Sequence, residues 1–123
     1  MRIQFHEDPV WELRSREEVR FKRLGLFMYD DGRRFAIGFE LTPFQERPSI
    51  QVFVADDSGN EQTSMTVIEA MQPNFSLTMH LPEEAEPQNL KVTAVIYYEL
   101  PEQGREVVDK MSTMLDTSKP GEQ

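Results

Sequence analysis

Cysteine is absent from the 123-residue sequence, which excludes a disulfide framework and any thiolate metal site. Long hydrophobic runs are missing as well. No stretch approaches the roughly 20 apolar residues that a membrane-spanning helix requires, so no membrane partner is expected. The opening segment, MRIQFHEDP, has one arginine and no apolar centre, unlike a secretory signal. The expected location is therefore the cytoplasm. Positive charge is scarce: 13 Lys and Arg stand against 22 Asp and Glu, a net charge of −9. Such a surface repels phosphate backbones, and nucleic acid is not an expected partner.

Catalytic signatures are lacking too. There is no nucleophile elbow, P-loop, dinucleotide-binding glycine fingerprint or H-E-x-x-H pair. The only histidines are His6 and His80. His80 falls beside Thr78 on the outward side of an alternating segment, where a surface role is expected. His6, Glu7 and Asp8 are metal-capable, but adjacent side chains in a terminal arm chelate poorly. No nucleophile is set beside a base, so the expectation is a protein that is not an enzyme and carries no cofactor.

What the sequence does contain is the composition of one soluble globular domain, 38% hydrophobic and 28% charged. Its clearest local signal is FMYDDGRRFAIGFEL, Phe27 to Leu41. Asp31-Gly32 is a two-residue hairpin signal, since both residues tolerate positive φ. That turn sets Asp30 opposite Arg33 as a charge pair. It also sets Met28 against Phe35, Leu26 against Ile37 and Leu24 against Phe39 on one face. Gly25 meets Gly38 on the other face, and Arg23 meets Glu40. Turn chemistry and apolar alternation select the same register.

The alternation continues through Ile50, Val52 and Val54, then Met65 and Val67, then Phe75, Leu77, Met79 and Leu81. A long segment follows with Leu90, Val92, Ala94, Ile96 and Tyr98 on one side and Val95 and Tyr97 on the other, as in a central strand. Glu106 to Leu115 returns with a blurred pattern. Loops rich in Gly, Pro and Asp separate these runs, which predicts an all-β, antiparallel sandwich of about seven strands over residues 19–115. Residues 1–18 are expected to form an arm, either extended or opening a short helix at Asp8-Pro9, with Trp11 packed on the sandwich. Residues 116–123 are expected to be a disordered tail.

In this order the strands resemble an immunoglobulin-like or fibronectin type III-like β-sandwich. The likeness is carried by the strand succession and by FSLTMHLPEEAEPQNLKVTAVIYYEL, which looks like the E strand, E–F loop and F strand. In that scheme Val19–Tyr29 is A, Arg33–Leu41 is B, Ile50–Ala55 is C and Gln62–Ala70 is C′. The cysteine pair of antibody domains is absent, and so is a tyrosine corner at the start of F. The resemblance implies architecture, and a small domain of this kind most often serves as a binding or accessory module.

Three surfaces are candidates. An antiparallel sandwich brings alternate loops to one pole, so Asp30 and Asp31, Asp56 and Asp57, and Glu83, Glu84 and Glu86 would share an end. Calcium takes six to eight oxygen ligands from such loops, which makes Asp30, Asp56, Asp57 and Glu84 the metal candidates. Turn chemistry explains the same aspartates without a metal. The opposite pole carries Phe44 and Met71 in proline-stiffened loops, where an aromatic can anchor a partner or fold back to plug the core. Phe53, Val95 and Tyr97 form the third candidate, an apolar patch on an outer face. The leading expectation is a non-enzymatic protein–protein interaction module, with a second copy of the chain among its candidate partners. A calcium- or carbohydrate-binding module, using the acidic pole or an exposed Tyr97–Tyr98 platform, is the alternative. An accessory subunit or domain of an enzyme is the third reading.

Overall fold

The computed structural model describes residues 13–83 and 86–123. A 3-10 turn at Arg16–Glu18 precedes eight strands: β1 (Phe21–Met28), β2 (Arg34–Leu41), β3 (Ser49–Ala55), β4 (Glu61–Val67), β5 (Asn74–His80), β6 (Asn89–Leu100), β7 (Gly104–Asp116) and β8 (Gly121–Glu122). They form two four-stranded sheets, ordered β5-β2-β1-β8 and β4-β3-β6-β7. Every pairing between these strands is antiparallel. The chain is an all-β two-sheet sandwich, and no described helix is long and apolar enough to cross a membrane. Asp8, Pro9 and Trp11, and with them the expected helix start, lie outside the described residues.

The β1–β2 hairpin adopts the register that alternation selects, with Leu24↔Phe39, Gly25↔Gly38, Leu26↔Ile37 and Met28↔Phe35. Its connection differs from the expected two-residue turn. Tyr29 N donates to Arg34 O at 3.0 Å and Gly32 N to Tyr29 O at 3.2 Å, so Asp30–Arg33 is a four-residue loop. The longer loop is centred on the same point and leaves the register unchanged. Gly32 has φ 69°, a conformation that glycine adopts without penalty.

The core is the inward row of each strand. Leu26, Met28, Phe35, Ile37, Phe39 and Met79 from one sheet meet Ile50, Val52, Val54, Leu90, Val92, Ala94 and Ile96 from the other. Leu115 on β7, Val19 before β1, and Phe21, Leu41, Leu81 and Tyr98 also belong to it. The two lateral sides of the sandwich are finished differently. On one, β1 and β7 approach, each carries a bulge, and Asp109 accepts a hydrogen bond from Phe21 N at 2.8 Å. There β8 also covers part of the β1 edge, pairing Phe27↔Glu122 and Met28↔Gly121.

That pairing replaces the loose tail expected for residues 116–123. The Asp116 carboxylate accepts from Ser118 N (3.0 Å) and Ser118 Oγ (2.6 Å), which turns the chain back. Gly121, at φ 101°, leads into β8, and Gln123 N donates to Leu26 O.

Candidate functional site

At the acidic pole, the topology does bring the expected loops together. Arg34 pairs with His80 and Ala55 with Lys91, so the β1–β2, β3–β4 and β5–β6 connections share one end. The aspartates there serve their own turns. Asp31 Oδ1 accepts from Arg33 N (2.9 Å) and Arg34 N (3.0 Å), and its Oδ2 accepts from Arg34 Nε (2.7 Å). The ion pair of this turn is therefore Asp31–Arg34, in place of the expected Asp30–Arg33. The backbone donor of Arg33, then the Arg34 side chain, hold the Asp31 carboxyl down at about 2.

Asp56 is equally engaged. Its Oδ1 accepts from Ser58 N and Asn60 N, both at 2.9 Å, while Oδ2 faces Asn60 Nδ2 and Gln62 Nε2. Asp30 and Asp57 are exposed. Among the described residues no group of three His, Cys, Asp or Glu side chains could hold a metal ion. Glu84 and His6 lie outside the described residues.

At the other pole Phe44 is half-buried against the core. The segment before the 3-10 turn holds its loop: Arg14 N donates to Pro43 O and Gln45 N to Arg14 O, each at 3.0 Å. Arg16 reaches Glu46 (3.6 Å) and Glu106 (3.5 Å) beside it, and Tyr98 OH donates to Glu46 O (3.0 Å). Burial, reinforced by the Glu46 carboxylate, pushes the Tyr98 phenol up to about 12. Phe44 is thus the plug of the open end.

The outer face of the β4-β3-β6-β7 sheet offers less apolar surface than its sequence implies. Tyr97 is only 2% exposed. The Arg105 guanidinium lies 3.9 Å over its ring, and Arg105 also bonds Gln51 Oε1 at 2.8 Å and pairs with Glu99. A cation–π lid covers the tyrosine, so neither the Phe53–Tyr97 patch nor a Tyr97–Tyr98 platform is open. Phe53 and Val95 remain half-buried beside it.

Two other surfaces are open. The first is the lateral side bounded by β4 and β5. Glu69 N donates to the buried Ser49 Oγ (3.1 Å) and Ala70 N to Pro48 O (2.8 Å), fixing the turn after β4. Glu69 takes φ 47° there, and the turn leaves Ile68 67% and Met71 70% exposed. Below them an apolar slot of about 280 Å³ opens between the sheets, lined by Val67, Ala70, Met71, Phe75 and Leu77.

The strand that bounds the slot, β5, has a free edge whose donors can be assigned. Leu41 N donates to Pro73 O and Leu81 N to Arg33 O, so the odd-numbered residues of β5 bond to β2. Asn74, Ser76, Thr78 and His80 then turn their N–H and C=O groups outward. No proline, acid, lysine or arginine interrupts this edge, and its register has no bulge.

The second open surface is a trough of about 560 Å³ on the outer face of the β5-β2-β1-β8 sheet. Gly25, Ala36 and Gly38 floor it, with Asn74 and Ser76 along one side. The Arg23–Glu40 ion pair (3.7 Å) closes one end, and Phe27, 43% exposed and edge-on to Tyr29, stands at the other. Neither glycine is required by the fold. Both have negative φ; a Cβ on Gly25 would meet nothing within 4 Å, and one on Gly38 only the Gly25 carbonyl at 3.9 Å. Paired glycines inside a sheet commonly mark the close approach of a ligand or another backbone. The sequence displays the Gly25–Gly38 pair; what it conceals is that none of the described residues covers it.

The described residues define an antiparallel β-sandwich with one open lateral side and one glycine-floored face. No family model matches the chain, and no curated protein matches it.

Proposed function

We propose that the protein is a non-enzymatic protein-binding module of the cytoplasm, built on an immunoglobulin-like, fibronectin type III-like sandwich. In the lettering used above, with β7 as G, the sheets run E-B-A, with β8 added beside A, and C′-C-F-G, the strand order expected of a fibronectin type III-like domain apart from β8. The observation that supports binding is the unfinished β4–β5 side. Ile68, Met71 and Leu77 stand exposed around an apolar slot there, whereas the opposite side is closed by β8, two bulges and the Asp109–Phe21 bond. Exposed apolar surface beside an unpaired strand edge is the chemistry of a protein interface. The test is capture of a binding partner by the wild type, by Ile68→Glu/Met71→Glu and by Asp56→Asn/Asp57→Asn. The reading predicts loss with the first pair alone; retention by all three proteins overturns it.

The glycine trough favours a second reading, a carbohydrate-binding module. A flat sugar ring fits against Phe27 and a floor of glycine and alanine, with Asn74 and the Arg23–Glu40 pair supplying hydrogen bonds. A glycan panel read by thermal shift checks it, with Phe27→Ala expected to abolish any stabilisation.

A further inference from the structure

We infer that the β4–β5 side receives a second copy of this chain, with β5 pairing antiparallel to β5 of the partner about a two-fold axis through Leu77. The inference rests on the protein-binding reading above and names the partner. It follows from the residues that β5 turns outward and from the self-complementarity of its sequence, NFSLTMH.

The outward-facing N–H and C=O groups belong to Asn74, Ser76, Thr78 and His80 alone. An antiparallel neighbour must bond residue to residue at those positions. In the register centred on Leu77, Asn74 meets His80 of the second copy and Ser76 meets Thr78, and each pair exchanges two hydrogen bonds. All four outward residues are then satisfied, and none is left over. A register shifted by two residues strands one of the four. The side chains agree with the same register. On the inner face Leu77 meets Leu77, and Phe75 meets Met79; on the outer face Ser76 meets Thr78, and Asn74 meets His80. No carboxylate, lysine or arginine is brought opposite its own kind, although the chain as a whole carries a net charge of −9. An isologous contact needs this kind of self-complementary strip.

The axis stands perpendicular to the sheet, so the two four-stranded sheets join into one continuous eight-stranded sheet. The slot of one copy then faces the slot of the other, and the half-exposed Leu77 and the rim around Val67 leave water together. Seven residues at about 3.3 Å each give an edge about 23 Å long, and two sheets about 10 Å apart with their side chains give a side about 20 Å deep. The two copies together bury on the order of 1,000 Å², the lower limit of a specific interface. An interface of that size makes a reversible dimer rather than an obligate one. The closed side offers no equivalent, because the β7 edge carries Lys110 and the inward Asp109, two devices that block edge pairing.

Sedimentation equilibrium over a wide concentration range tests the inference with four proteins: wild type, Ser76→Pro, Leu77→Lys and Leu77→Glu. Proline at 76 removes an outward N–H and leaves the β2 bonds intact, so the fold, checked by thermal melting, is retained. The expected results are a wild-type monomer–dimer equilibrium and at least tenfold weaker association for each variant. An equimolar mixture of the Leu77→Lys and Leu77→Glu proteins should recover the dimer, since the two-fold axis sets those side chains against each other. A wild type that stays monomeric at millimolar protein overturns the inference, as does a dimer indifferent to Ser76→Pro or a mixture that does not associate. A monomer that still captures a foreign partner through Ile68 and Met71 overturns the second copy alone and leaves the protein-binding reading standing.

Discussion

At the residue scale, single side chains here do local work that their neighbours in sequence disguise. Asp30 and Asp31 look interchangeable, yet Asp31 alone accepts two backbone donors and the Arg34 guanidinium. Its folded pKa, about 2, lies below the 3.8 of an unperturbed aspartate. A depressed folded pKa adds stability above the unfolded value, and that stability is lost as pH falls through the folded one. Asp31→Asn should therefore lower the melting temperature at neutral pH. The gap should close as pH falls from about 4 to about 2, as differential scanning calorimetry in a pH series would record. Gly25 and Gly38 make the converse point. Both sit inside strands with room for a methyl group. Gly25→Ala and Gly38→Ala should each stabilise the domain by about 0.5–1 kcal/mol in urea unfolding. If the trough binds a ligand, the same substitutions should weaken it.

At the element scale, what matters is how each strand ends and what its edge presents. The exit from β4 depends on Ser49, whose buried hydroxyl accepts from Glu69 N while Glu69 holds a left-handed conformation. Removing that acceptor leaves a part-buried N–H without a partner. Ser49→Ala should cost about 1–2 kcal/mol in chemical denaturation. It should also loosen the turn that presents Ile68 and Met71, visible as faster amide exchange at Glu69 and Ala70. The long strand β6 illustrates the limits of pattern alone. Its outward Val95 and Tyr97 look like an exposed apolar pair, but Arg105 on β7 folds over the tyrosine and turns the patch into a covered one. An alternating strand specifies which residues face out, while the neighbouring strand specifies whether they meet water.

At the scale of the whole molecule, the sandwich is asymmetric. One side is stitched by the Asp109–Phe21 bond between sheets and by β8, and the other is left with the slot and the free β5 edge. Asp109→Ala removes the acceptor that Phe21 N uses across the two sheets. The expected cost is about 1–3 kcal/mol, read from urea midpoints, because a charged acceptor of a part-buried donor is lost. Asymmetry of this kind also orders the candidate functions. A metal centre needs carboxylates free to converge, and Asp31 and Asp56 are committed to their own turns. An interface needs exposed apolar surface and unpaired backbone, and the β4–β5 side sets Ile68, Met71 and Leu77 beside the bulge-free edge of β5.

The fold class, nearly all the strands and the pairing of β1 with β2 were legible in the sequence. They depend on period-two alternation and on turn residues, properties encoded within a few positions of each other. Leu26 opposite Ile37 and Met28 opposite Phe35 follow from the loop at Asp31-Gly32 whether it has two residues or four. The β8 strand was encoded as well, in Asp116, Ser118 and Gly121, but a polar stretch with one proline reads as a tail unless the edge it returns to is known. Only tertiary structure decided which strands became edges, that Arg105 would roof Tyr97, that Phe44 would plug one pole, and that Asp109 would reach a backbone amide 88 residues away. Those outcomes depend on the order of strands across two sheets, which is set by contacts among residues far apart in the chain. No local pattern records which of two equally alternating strands will be left without a neighbour.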